Sequence, residues 1–140
     1  MLIEDRFVQS IRVGVEDLDD LNHVNNVRYV KWMQDVAIAH WDYLVAINNF
    51  KSEYIWVVMN HSIDYKRAAF LGDEISLETH IEGFDKFTCY RIIEIKNAKT
   101  GKLITKSKSK WCLIDPETHR PMMIPSEIKN IILEENAVYS

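Results

Sequence analysis

The sequence predicts an α+β layer in which one long helix packs on a mostly antiparallel sheet of about five strands. Three observations carry this. After a polar stretch at residues 17–26, Val30, Met33, Ala37, Trp41 and Leu44 recur at spacings of three and four, the period of one apolar helix face. Four strand-like runs follow without a second long helical pattern. In one of them Ile75, Leu77, Thr79 and Ile81 alternate with Ser76, Glu78, His80 and Glu82, as expected when one sheet face meets core and the other meets water.

The first strand is read over residues 7–15, where Phe7, Ile11, Val13 and Val15 fall on alternate positions, and it ends at Glu16. Asn25 and Asn26 stand as cap residues immediately before the helical run, and Asn48-Asn49 marks its end. The later strands fall at about residues 54–66, 73–82, 87–96 and 102–115. Gly83-Phe84-Asp85-Lys86 and Ala98-Lys99-Thr100-Gly101 supply hairpin turns, and residues 115–121 leave the sheet. A short helix begins near Pro125 or Ser126 and offers Ile128, Ile131 and Ile132 to the body. Because the helix takes one face of the sheet, the other face or an edge needs water or a second subunit.

A chain of 140 residues suits one domain, 1–140, since division would leave neither half enough apolar surface for a core. It is 47% hydrophobic and 27% charged with four Gly and three Pro, a composition of regular structure rather than disorder. A net charge of −4 gives no global basic field and argues against a nucleic-acid partner. The opening residues, with Glu4, Asp5 and Arg6, do not read as a targeting segment, and no apolar run approaches bilayer-crossing length. The expectation is a cytoplasmic protein without membrane association. Cys89 and Cys112 each lie in a strand-like stretch and read as buried reduced thiols. His40, His61, His80 and His119 are too scattered for a metal-ligand motif, so no metal is expected, and neither a Gly-rich phosphate loop nor a serine nucleophile elbow is present.

The segment Asp17-Leu18-Asp19-Asp20-Leu21-Asn22-His23-Val24-Asn25-Asn26 runs into Val27-Arg28-Tyr29-Val30-Lys31-Trp32-Met33. It resembles the 4-hydroxybenzoyl-CoA thioesterase group of hotdog-fold proteins. It also resembles acyl-ACP thioesterases, whose motif holds a similar Asp-Leu-Asp and His-Val-Asn-Asn. The likeness continues through Ile63-Asp64-Tyr65, Gly72-Asp73-Glu74, Trp111 and Asp115. The resemblance implies a hotdog fold, a central helix wrapped by a curled antiparallel sheet, with protomers joined sheet edge to sheet edge and active sites at their interface. It also implies a thioester hydrolase without a cofactor, acting on a small-molecule acyl thioester such as an acyl-CoA. The assembly it implies is a homodimer or a tetramer of dimers. By the same resemblance Asp19 matches the family's catalytic carboxylate and His23 its histidine.

Elementary chemistry gives Asp19 the same role. A carboxylate just before a helix start sits beside backbone N–H groups that have no partner within the helix, and these amides and the helix dipole can polarise a thioester carbonyl. The N–H groups of Val24, Asn25 and Asn26 are the candidate oxyanion donors. Asp19 would attack the carbonyl directly or serve as general base to water, and the sequence leaves both routes open. The plain alternative is that Asp17, Asp19 and Asp20 only cap turns and hydrate a loop. His23 would orient the carboxylate, bond the substrate or pass a proton to the leaving thiolate; alternatively it holds the loop shut. Asn22 stands where many relatives carry Gly, and Asn tolerates left-handed backbone geometry. Gln34 stands where relatives often place Glu, and the adjacent Asp35 is turned roughly 100° around the helix.

Substrate contacts are expected from Tyr29, Gln34, Asp35, Lys86 and Phe87. Tyr29, Trp32, Trp41, Trp56 and Phe87 line an acyl pocket or fill the core. Lys106, Lys108 and Lys110 alternate with Thr105, Ser107 and Ser109, placing ammonium groups on one face and small side chains on the other. The lysine face protects a solvated surface or meets coenzyme A phosphates together with Lys86 or Arg91. The leading function is an acyl-CoA thioesterase. An acyl-ACP thioesterase and a non-catalytic hotdog module that binds an acyl thioester are the alternatives.

Overall fold

The computed structural model describes residues 2–3, 6–48 and 54–139; Glu4, Asp5 and Asn49 lie outside the described residues. The long helix, α1, spans Asn26–Ile47. It starts where Asn25, in extended backbone, accepts the Val27 N–H on its side-chain oxygen at 3.0 Å. It stops at Asn48, whose side-chain amide donates to the Leu44 carbonyl at 2.9 Å. Both asparagines therefore cap the helix as the sequence suggests.

The strands are β1 (Leu2–Ile3), β2 (Arg6–Arg12), β3 (Ile55–Tyr65), β4 (Glu74–Phe84), β5 (Thr88–Asn97) and β6 (Leu103–Ile114). They form one sheet in the order β1-β2-β4-β5-β6-β3 with every neighbouring pair antiparallel. Five strands match the expected runs to within a few residues. The two-residue β1 is an addition, formed by pairing Leu2 with Phe7 and Ile3 with Arg6.

Two boundaries differ from the sequence reading. The first strand stops at Arg12 because the Val13 N–H crosses to the Asp73 carbonyl at 3.0 Å. The chain then turns into a short 3₁₀ segment, Val15–Asp17, which leaves Val15 72% exposed instead of in the core. β4 runs through Phe84, past the expected turn at Gly83. Its register with β5 shifts between Ile81 and Gly83, so Glu82 is an extra residue and the hairpin tightens onto residues 85–87.

The buried face of α1 comprises Tyr29, Trp32, Met33, Val36, Ala37, His40 and Leu44, and Trp41 is only partly buried. Met33 and Val36 sit in one cluster with Ile75, Leu77, Ile93 and Ile95 from the inner faces of β4 and β5. Thr105, Ser107 and Ser109 also face inward, while Lys106 and Lys108 are exposed, as their alternation predicts. The second helix, α2 (Ser126–Tyr139), closes the far end of the layer. Its Ile128 and Ile132 join Leu44, Ile81, Cys89 and Leu113 in a second cluster. The sheet thus leaves the N-terminus of α1 open beside the loop that precedes it. Met33 is fully buried in the first cluster, so Met33→Ala should destabilise the fold by roughly 2–5 kcal/mol, measured as a lower urea midpoint at unchanged m-value.

Candidate active site

The loop before α1 is held by a buried carboxylate. Asp17, 4% exposed, accepts the Gly14 N–H on Oδ2 at 2.8 Å. Its Oδ1 accepts from Nε of Arg28 at 2.7 Å and lies 2.7 Å from Nη2 of the same guanidinium. Arg28 belongs to the first turn of α1, so this ion pair ties the loop's start to the helix. From there the chain folds on itself. Asn25 N–H donates to the Asp17 carbonyl at 2.9 Å, Leu18 bridges Val24, and Asp19 N–H donates to the His23 carbonyl at 2.7 Å. The reversal passes through Asn22 at φ +60°, the left-handed geometry anticipated for an asparagine in place of glycine.

Asp19 is half-buried, and its Oδ1 accepts two amides, Leu21 N–H at 2.9 Å and His23 N–H at 3.1 Å. Among the described residues Oδ2 accepts no hydrogen bond. The loop therefore grips one oxygen and presents the other. His23 reaches Asp19 through its backbone; its ring instead meets the edge of Phe70, with centroids 5.2 Å apart at 90°. The expected contact between imidazole and carboxylate is not made in this chain.

Of the three amides expected to face a substrate, two are engaged. Val24 N–H donates to the Ala69 carbonyl at 3.0 Å, and Asn25 N–H donates to Asp17. Asn26 N–H, at the first position of α1, makes no hydrogen bond among the described residues. Contrary to the expectation that all three are open, only the Asn26 amide is left without an acceptor among the described residues. Asp19, His23 and Asn26 line one cavity of about 300 Å³, closed on its other side by Tyr29 and by Tyr65, Lys66 and Arg67 from the end of β3. Tyr29 is buried, and its hydroxyl oxygen accepts the Ala69 N–H at 3.1 Å. Burial raises its phenol above the ordinary value, so it remains protonated at neutral pH.

A second cavity, about 400 Å³, runs along α1 from Gln34 past Ile38 and Trp41 toward Leu44, facing Trp56 and Trp111. Its lining is mostly apolar. Trp41 and Trp56 meet edge to face with centroids 5.7 Å apart. Cys89 contributes to the wall as a free thiol, and burial pushes it up to about 11, which keeps it protonated and unreactive.

The sequence profile of the acyl-ACP thioesterase N-terminal domain matches residues 4–132. The chain belongs to the acyl-ACP thioesterase family. Among its relatives is the chloroplastic palmitoyl-acyl carrier protein thioesterase of Cuphea hookeriana, 29% identical over 133 residues. That alignment covers 89% of this chain but 31% of the relative, so the chain spans about a third of the plant protein's length. The long-chain acyl-CoA thioesterase FadM of Escherichia coli is 24% identical over 124 residues, covering 86% of this chain and 92% of FadM. The fold is shared with a predicted thioesterase from Bacillus stearothermophilus at a TM-score of 0.82 and 22% identity, covering 93% of this chain and 96% of that one. The curled sheet around a central helix is accordingly the hotdog fold.

Within this acyl-ACP thioesterase domain several expected contacts lie elsewhere. Asp35 is exposed and paired with Lys31 at 2.8 Å, one turn away on the outer face of α1. Lys86 and Phe87 sit on the β4–β5 turn, where their carbonyls accept Ile124 N–H and Leu113 N–H, and they line neither cavity. Lys108 pairs with Glu82 at 3.1 Å, and both Lys108 and Lys110 lie over the Tyr90 ring on the outer sheet face. Arg91 shares no surface with them, because it points inward and is 6% exposed. Trp32 is core, packed at 82° against Tyr29. The sequence reading missed Lys66 and Arg67, which follow directly on the quoted Ile63-Asp64-Tyr65, as well as the inward course of Arg91.

Among the described residues no helix is long and apolar enough to cross a membrane, and no group of His, Cys, Asp or Glu gathers to hold a metal. Asp17→Ala should leave the Gly14 N–H and Arg28 without their acceptor and cost roughly 1–3 kcal/mol of stability. Faster hydrogen exchange at the Asn25 amide, with a lower denaturation midpoint, is the expected reading; unchanged exchange would remove Asp17 from this role.

Proposed function

We propose that the protein hydrolyses acyl thioesters to a free acid and a thiol, with Asp19 as the reacting carboxylate and the Asn26 amide as the oxyanion donor. The observation that carries this reading is that Asp19, with one carboxylate oxygen unbonded, and Asn26, whose helix N-terminal amide has no acceptor among the described residues, line the same cavity. A thioester carbonyl set there would have its oxygen toward the amide and its carbon toward Oδ2.

Attack on that carbon moves the carbonyl pair onto oxygen, where the Asn26 N–H and the helix dipole stabilise the developing charge. Collapse of the tetrahedral adduct re-forms the carbonyl and breaks the C–S bond. The electron pair leaves on sulfur and is protonated there. If Asp19 itself attacks, the first product is an anhydride that water then opens. If Asp19 acts as general base, water supplies the new C–O bond and its proton passes to the carboxylate. His23, on the cavity wall, is the group placed to deliver a proton to the departing thiolate.

The acyl chain belongs in the larger cavity, whose tryptophan and isoleucine lining suits hydrocarbon. Lys66 and Arg67, both exposed at the smaller cavity, give the mouth a cationic rim that suits the phosphate of a pantetheine arm. They take the place of Lys86, Lys106, Lys108 and Lys110 in the reading. Such an arm is common to coenzyme A and to carrier proteins. Coenzyme A is the leading carrier because this single layer covers FadM nearly end to end. A carrier-protein substrate is the second reading, favoured by the family match.

The edge of the sheet supports a homodimer as the proposed assembly. β3 pairs with β6 on one side and ends the strand order on the other. Along its eleven residues Ile55, Val57 and Met59 are exposed. An edge of that length and apolarity is a template for a second strand. The cytoplasm is the proposed compartment, in keeping with two free cysteines.

The test follows free-thiol release from a panel of acyl-CoA thioesters of increasing chain length and one matched carrier-protein thioester. Wild type should turn over, and Asp19→Asn should lower kcat by roughly 10²–10⁴-fold. Hydrolysis by Asp19→Asn at the wild-type rate, or tight binding by wild type without turnover, contradicts the reading.

A further inference from the structure

Tyr29 stands three residues beyond Asn26, so the two lie on one face of α1 in adjacent turns. Helical side chains lean back toward the N-terminus, and here a single residue fixes how far this one reaches. Ala69 takes the Val24 N–H on its carbonyl at 3.0 Å and gives its own N–H to the Tyr29 hydroxyl oxygen at 3.1 Å. The phenol oxygen is thereby held within one residue's length of the Val24 backbone, at the level where α1 begins. Its ring is clamped as well. Trp32 meets it edge to face with centroids 5.6 Å apart, and Tyr65 lies against it at 5.9 Å.

A phenol hydroxyl both accepts and donates. The Ala69 N–H uses the accepting side, and among the described residues nothing takes the proton. Tyr29 is 2% exposed, yet it lines the cavity together with Asp19 and Asn26. A buried donor without an acceptor is costly, and the cavity is the side from which an acceptor can arrive. A hydroxyl that already accepts one hydrogen bond donates a stronger one. Burial raises the phenol above its ordinary value, and the carboxylates of Asp73 and Asp19 raise it further, so the proton stays on oxygen at neutral pH.

We propose that Tyr29 is a second catalytic donor, its hydroxyl giving a hydrogen bond to the same thioester oxygen that the Asn26 amide meets. One backbone amide and one phenol then share the charge that develops on that oxygen. The proton remains on the phenol throughout, and the donor is aimed before the reaction begins, which is the condition for electrostatic stabilisation of an oxyanion. The inference deepens the thioesterase reading and rests on it for the identity of the ligand.

Two readouts separate this role from that of a side chain that only satisfies the Ala69 amide. In steady-state kinetics on the best acyl-CoA thioester, folded Tyr29→Phe should lose roughly 10²–10³-fold in kcat with KM nearly unchanged. The second readout is the infrared C=O stretch of an acyl-CoA, isotope-labelled at the thioester carbonyl, bound to Asp19→Asn protein. Adding Tyr29→Phe should move that stretch to higher wavenumber, because a hydrogen-bond donor has been withdrawn from the oxygen. A ring-fluorinated tyrosine at position 29 serves if Tyr29→Phe does not fold. It keeps the Ala69 contact and makes the phenol a stronger donor, so the stretch should move to lower wavenumber. Wild-type kcat in folded Tyr29→Phe, or a carbonyl stretch that does not respond to either replacement, overturns the proposal. Failure of the thioesterase reading shows separately, as absence of turnover by wild type.

Discussion

The site depends on the Asp17 carboxylate. With one oxygen on the Gly14 amide and the other on the Arg28 guanidinium, it joins the end of the first long strand to the first turn of α1. The intervening loop is thereby closed at both ends. Its internal bonds, Asn25 to Asp17 and Asp19 to His23, then leave Asp19 little freedom except to offer Oδ2 outward. An exposed ion pair would contribute little, but Asp17 is 4% exposed and also satisfies a backbone amide. Removing it would strand partners that the fold has withdrawn from water.

Ala69 performs the matching task from the other side. Its carbonyl takes the Val24 amide and its N–H bonds the Tyr29 hydroxyl oxygen, so one residue between β3 and β4 is bound to both loop and helix. The same connection brings Lys66 and Arg67 to the cavity. Rigid positioning of this kind is what electrostatic catalysis requires, because a donor aimed in advance does not have to reorganise as charge develops. Farther along α1 the lining becomes aromatic and aliphatic, interrupted by the fixed cation of Arg91.

Much of this was legible in the sequence because it is local. The period of α1, its two asparagine caps and the alternation of β4 each need only near neighbours. Asn22 could be read as left-handed for the same reason. The features that escaped reading depend on distant partners. Val13 to Val15 alternate like a strand, yet the chain leaves the sheet because of Asp73 and the turn held by Asp17. Val24 and Asn25 look like donors beside a helix start, but their acceptors are carbonyls of Ala69 and Asp17 that the fold alone supplies. Lys86 and Phe87 stand next to a strand and invite a role in binding, but their turn packs beside Ile124. Arg91 carried a usable sign: it shares the parity of Ile93 and Ile95 and therefore had to point inward.

The central claim is that a single backbone amide, that of Asn26, receives the developing oxyanion. Proline at this position removes the N–H together with an exposed side-chain amide, whose share Asn26→Ala measures separately. The first position of a helix accepts proline, and Asn25 before it already has φ −65° and ψ 137°, the extended geometry that a following proline requires. Steady-state kinetics of Asn26→Pro on the best thioester, with thermal unfolding measured alongside, is the most direct test. The account predicts a kcat lower by roughly 10²–10³-fold with KM and unfolding nearly unchanged. A folded Asn26→Pro protein with wild-type kcat would contradict it.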